Sequence, residues 1–174
     1  MILDARGFTV VEILLATAVI SVALVGVLAA VPVAMFGVQE GKQLSTATFL
    51  AEQRLEQVRN AAWTAAAGGD CLGISASVTV SPTIPVGATC NSGAGVLNAG
   101  TVTFPDESTT QINGFNGYSR TVRVTNCGVA PGCAGITDPT LRLVTATVTY
   151  TPSSGRGGSP TQKSAVVTLM VARH

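Results

Sequence analysis

An α+β architecture, with one long N-terminal helix laid on a C-terminal antiparallel sheet, is predicted by three observations. From Ile13 to Gln39 the chain runs 27 residues without a formal charge. After Glu40, apolar residues recur at three- and four-residue steps. From Cys71 onward, short Val- and Thr-rich runs alternate with Gly, Pro and Asn clusters. Composition agrees. Only 11% of the 174 residues are charged, against roughly 25% in average soluble domains. With a mean hydropathy of +0.46, this argues against a plain cytosolic enzyme and against intrinsic disorder, which needs low hydrophobicity and high charge. Ten basic and nine acidic residues leave a net charge of +1, so no strong electrostatic footprint for nucleic acid follows.

The apolar run divides the chain into residues 1–7, 8–39, 40–69 and 70–174. A helix crossing a bilayer core needs about 20 mostly apolar residues. Between Phe8 and Val38, 17 residues are Leu, Ile, Val or Phe. Their insertion energy of about −0.3 to −0.6 kcal/mol each outweighs a single acid costing roughly 3 kcal/mol. That acid is Glu12. A secretory signal peptide would have a shorter apolar run and a cationic start, whereas this chain opens with one Asp and one Arg. A carboxylate inside an apolar segment is a functional hypothesis by default. Pro32 lies within the run and predicts a kink or local melting, since it removes one backbone bond and crowds the preceding turn.

Residues 40–69 read as an amphipathic helix. Leu44, Ala47, Ala51, Leu55, Val58 and Ala62 share one face, with Glu52, Arg54, Glu56 and Arg59 elsewhere. Ala65-Ala66-Ala67-Gly68-Gly69 supplies the stop. One helix from about Thr9 to Ala66 is expected. Beyond it, Ile74–Val80 and Thr101–Phe104 are short strand candidates. Tyr118–Thr125, Leu141–Thr151 and Gln162–Ala172 are stronger ones. Leu141 and Leu143 fall on the opposite phase from Val144, Ala146, Val148 and Tyr150, which predicts a bulge near Leu143. Gly155-Arg156-Gly157-Gly158-Ser159 reads as a hairpin tip, because it lacks the Lys-Ser/Thr ending of a phosphate-binding loop.

Cys71, Cys90, Cys127 and Cys133 all fall after the helices. An even count there favours disulfides in an oxidising compartment. Three connectivities are open, and proximity favours Cys71–Cys90 with Cys127–Cys133. Gaps of this size fit zinc spacing badly. Asp106, Glu107 and Asp138 are loop acids without the alternating oxygen ligands of a calcium loop, and a solvated loop is expected. Arg120, Arg123 and Arg142 would form a small basic patch if their strands were neighbours, a weak case for DNA. The only His is His174, the last residue, so no nucleophile–base set can be assembled and neither an enzyme nor a cofactor is expected.

The segment Arg6-Gly7-Phe8-Thr9-Val10-Val11-Glu12-Ile13-Leu14-Leu15-Ala16 resembles the prepilin leader junction of type IV pilins and pseudopilins. That pattern is a short hydrophilic leader ending in Gly, then Phe, three residues, Glu and a long apolar helix. Residues 51–59 and the strands ending in Arg173 are similar to minor pilins of the pilus-modification type. The resemblance implies the pilin fold, cleavage between Gly7 and Phe8 by a prepilin peptidase, and N-methylation of Phe8. It further implies pairing of Glu12 with the terminal amine of a neighbouring subunit, and an inner-membrane assembly platform. The implied path starts as a single-pass inner-membrane protein, N-terminus in the cytoplasm, held by lipid before assembly into an extracytoplasmic filament. Two alternatives stay open. One is a pseudopilin of type II secretion. The other is an uncleaved, membrane-anchored surface binding module.

Overall fold

The computed structural model describes residues 8–130, 132–152 and 161–174. The architecture is α+β as expected. A 50-residue helix, α1 (Val10–Arg59), is followed by five strands: β1 (Thr89–Ser92), β2 (Gly95–Asn98), β3 (Tyr118–Asn126), β4 (Leu141–Tyr150) and β5 (Lys163–Ala172). All pairings are antiparallel. β1 and β2 form a two-stranded hairpin, and the other three form a sheet in the order β3-β4-β5. The chain falls into two compact units, residues 1–41 and 42–174, and α1 contributes to both.

In the first unit, the helix runs without interruption through Pro32, so the backbone does not melt there. Across the most apolar 18-residue window of α1, no residue is buried within the protein. In the second unit, the C-terminal stretch of α1 buries Ala47, Leu50, Ala51, Leu55 and Val58. They join Val122, Val124, Val144, Ala146 and Val148 of the sheet in one core. A one-sided helix on a half-buried antiparallel sheet makes the expected two-layer solution. Two residues assigned to the helix face are corrected. Leu44 and Ala62 are exposed, and Leu50 takes the central place.

The helix also stops earlier than expected, at Arg59. Trp63 gives the reason. It is 3% exposed and joins the core cluster. The chain folds back beside it, with the Thr64 N–H donating to Gly69 O at 2.8 Å and the Cys71 N–H to Ala62 O at 2.8 Å. Burying the indole outweighs the helix propensity of three consecutive alanines.

The three strong strand candidates lie at β3, β4 and β5 within two residues of their expected ends. Ile74–Val80 and Thr101–Phe104 do not form strands. They contribute only isolated bridges, Ile74 to Thr83 and Thr83 to Val102. The β1–β2 hairpin was not expected. Gly93-Ala94-Gly95 between two four-residue runs is the signal that marks it. The bulge near Leu143 is absent, because pairing runs unbroken from Leu141–Ala172 to Tyr150–Lys163. Arg142 occupies the core-facing position, so Leu141 and Leu143 stay on the outer phase without a break in register. The Gly155–Ser159 turn lies outside the described residues. Disulfides join Cys71 to Cys90 and Cys127 to Cys133.

Candidate functional site

Two regions carry the residues singled out above. The first is the start of α1. Thr9 caps it: its Oγ1 accepts from the Glu12 N–H at 3.3 Å, and its carbonyl accepts from Ile13 N–H at 3.2 Å. Thr9-x-x-Glu12 has the spacing of a capping box, a signal the sequence held and the reading missed. Glu12 therefore sits in the first turn, where the helix dipole favours an anion. It is exposed, and among the described residues nothing pairs with its carboxylate. Phe8 is 79% exposed. Gly7 lies outside the described residues.

Behind that turn stands an apolar helix surface without cover inside the chain. Val10, Leu14, Val22, Leu28, Met35 and Val38 are all exposed. From Val10 to Val38 a helix measures about 44 Å at 1.5 Å per residue, which exceeds a hydrocarbon core of about 30 Å and leaves length for tilt. Monomeric soluble proteins seldom expose apolar patches beyond a few hundred Å². The segment is thus long and apolar enough to cross a membrane.

The second region gathers the charged residues of the domain, and it corrects two expectations. The arginines do not form a basic patch. Arg120 and Arg142 lie on the buried face, Arg123 on the other, and each is held by a different carboxylate. Arg142 reaches Asp70 in a two-pronged pair at 2.7 and 2.8 Å and stacks over Trp63 at 4.2 Å. Gly73 completes this site. Its N–H donates to Asp70 Oδ1 at 2.9 Å, and its φ of +69° suits glycine.

Nor are the loop acids merely solvated. Glu107 takes Arg120 Nε at 2.6 Å and Nη2 at 3.0 Å, with Arg54 at 3.8 Å. Arg120 Nη1 meanwhile donates to Leu50 O at 3.0 Å, which ties helix, loop and sheet together. Asp106 holds Arg123 at 2.6 and 2.9 Å. Asp138 turns onto Thr140, whose N–H and hydroxyl both donate to it, at 2.8 and 2.6 Å.

The arginines hold three of these acids below the usual carboxylate range. For Asp70 and Glu107, burial pushes the other way, and the Arg142 and Arg120 pairs overcome it. For Asp106 the Arg123 hydrogen bond is the chief cause. No group of three or more His, Cys, Asp or Glu is placed to hold a metal among the described residues. His174 is exposed, and its backbone N–H donates to Trp63 O at 3.2 Å. The region is cross-bracing for the domain, and its groups are committed to one another.

Together these features define a class: an α+β protein whose N-terminal helix can cross a membrane and whose disulfide-bonded domain is built on an antiparallel sheet. No family model, no curated protein and no solved structure matches the chain.

Proposed function

We propose that the protein is a structural subunit, of the minor-pilin kind, in a type IV pilus or related filament. A prepilin peptidase cuts between Gly7 and Phe8, and the freed amine of Phe8 is methylated. The membrane holds the subunit by its apolar helix until an assembly platform withdraws it. Helices of neighbouring subunits then cover the apolar surface that lipid covered before. The observation that carries this reading is the Gly7-Phe8 junction with Glu12 five residues on, at the head of a helix whose apolar surface has no cover within the chain.

Physical chemistry supports the role of Glu12. A carboxylate in an apolar layer is costly unless paired. The cationic terminus of the next subunit is the recurring positive charge in that layer, so one pair per subunit sets axial register. Pro32 leaves the carbonyl one turn earlier without its helical donor, a place where packing can bend or open the helix. The disulfides support an oxidising compartment for residues 42–174.

The test is the mass of the mature N-terminus together with a Glu12→Ala variant. Methylated Phe8 and normal cleavage are expected in both proteins, with incorporation into filaments lost in the variant. Normal filaments from Glu12→Ala refute the pairing. Recovery of Met1 from the native protein points instead to an uncleaved, membrane-anchored surface module.

A further inference from the structure

The two outer edges of the three-stranded sheet are finished differently. In an antiparallel ladder, successive residues turn their N–H and C=O to opposite neighbours. Two bonds set the phase here: Cys127 N–H to Leu141 O at 3.1 Å, and Arg173 N–H to Thr140 O at 2.8 Å. On β3, Arg120, Val122 and Val124 therefore face away from β4. On β5, Ser164, Val166, Thr168 and Met170 do so.

The β3 edge is closed. Arg120 exchanges both backbone bonds with Glu107 at 2.9 Å. Val124 O accepts from Ser75 N–H at 2.9 Å, and Val124 N–H donates to Ser75 Oγ at 3.0 Å. Along β5, no backbone group among the described residues reaches the outward N–H and C=O of Ser164, Val166, Thr168 or Met170.

Burial gives a second, independent contrast. Val122 and Val124 on β3 are fully buried, whereas Val167, Leu169 and Val171 on β5 pack against the same core and remain partly exposed. On the other face of β5, Val166 is 56% exposed and Met170 39%. Natural edge strands are usually guarded by charge, proline or a bulge. Residues 164–172 carry no charge and no proline, and their register is unbroken.

A second copy of the chain suits this edge poorly. Antiparallel self-pairing along the whole strand sets Lys163 opposite Arg173 at both ends, and directly opposed like charges destabilise a ladder. Head-to-tail pairing needs an open β3 edge, and that edge is sealed. We propose that the β5 edge accepts an extended segment of a different protein as a fourth strand. That segment has apolar residues at alternate positions, to cover Val167, Leu169 and Val171, and an acid at each end, to meet Lys163 and Arg173. Backbone bonds supply affinity and the flanking charges set register, as in other strand-addition complexes. The inference stands whether or not the chain builds filaments.

The experiment uses the full chain in detergent micelles, with amide hydrogen exchange read residue by residue. The probe is a synthetic ten-residue peptide of alternating Val and Thr with a Glu at each end. In the free chain, the amides of Val166, Thr168 and Met170 are expected to exchange at least tenfold faster than those of Ala165, Val167 and Leu169. The peptide should slow the first set at least tenfold. A Lys-ended peptide should bind at least tenfold more weakly. Thr168→Pro removes an outward donor and spares the bonds to β4, so it should abolish binding. Val166→Lys, a milder guard, should weaken binding at least tenfold in case the proline variant misfolds. Edge amides already protected in the free chain, by its own 153–160 segment or by a dimer, would overturn the proposal. So would a peptide that slows none of them, equal binding of the Lys-ended peptide, or full binding by Val166→Lys.

Discussion

The two stretches of α1 follow opposite rules. Val10–Gly41 is the more apolar, yet every residue in it is exposed. Lys42–Arg59 carries charges on several faces, yet it buries five residues in the core. Burial within a chain thus follows the width of the apolar stripe and the presence of a matching surface, not hydrophobicity summed along the sequence. A helix that is apolar all round has no single face to offer a sheet, and its cover must come from lipid or from other helices. The amphipathic stretch has one stripe, and β3 and β4 present an apolar face of the same breadth.

That contrast breaks most sharply at the buried ion pair. Arg142→Ala should destabilise residues 42–174 by about 3–5 kcal/mol, because Asp70 is then left charged without a partner in a largely buried place. The loss includes the stacking of the guanidinium on Trp63. Replacing Asp70 and Arg142 together by Asn and Met should cost much less than the single change, since no buried charge remains. Urea unfolding of the full chain in micelles, followed by Trp63 fluorescence, measures both.

A matched pair of truncations sharpens the same comparison. Leu50 is fully buried, and Leu50→Ala should cost about 2–5 kcal/mol through lost contacts and a cavity. Leu28 is 70% exposed, and Leu28→Ala should leave the unfolding of residues 42–174 unchanged. A large shift from Leu28→Ala would mean that the domain leans on the apolar stretch after all.

Acid should act on the domain alone. Asp70, Asp106 and Glu107 have folded pKa values below their ordinary ones. Carboxyls depressed by folding contribute stability that is complete above their unfolded values, near about 4, and that is lost as pH falls through the folded values. The melting temperature should therefore stay level from neutral pH down to about 5 and fall below about 4. The fall should be shallower in Arg142→Ala, where Asp70 no longer has a reason to bind its proton late.

Much of this contrast was legible beforehand. Charge-free length from Ile13 to Gln39 marks the exposed helix, and period-two alternation places β3, β4 and β5. What was hidden depends on contacts between distant residues. Arg142 stands in a core-facing position because Asp70, 72 residues away in sequence, neutralises it, and no local pattern announces such a pair. The same holds for Arg120 with Glu107, read separately as a patch residue and a solvated acid. The helix end at Arg59 was missed for a related reason. Three alanines promise continuation, and only the tertiary demand of Trp63 overrules them. The disulfide pairing, by contrast, followed from proximity, since short loops close at the least entropic cost.

The smallest expected effect lies on the exposed side of the amphipathic stretch. Glu56 and Arg59 form an i,i+3 pair at 3.6 Å, and both side chains are about two-thirds exposed. Such pairs contribute about 0.2–0.5 kcal/mol, and salt screens them further. Glu56→Ala should thus shift unfolding by no more than about 0.5 kcal/mol, and the shift should vanish in high salt. Arg59 in the last turn also favours the negative end of the helix, so Arg59→Ala should cost slightly more than Glu56→Ala. If Glu56→Ala proved as damaging as Leu50→Ala, charge on the outer face would be shaping the domain, and the division of α1 into an apolar stripe and an indifferent polar one would fail.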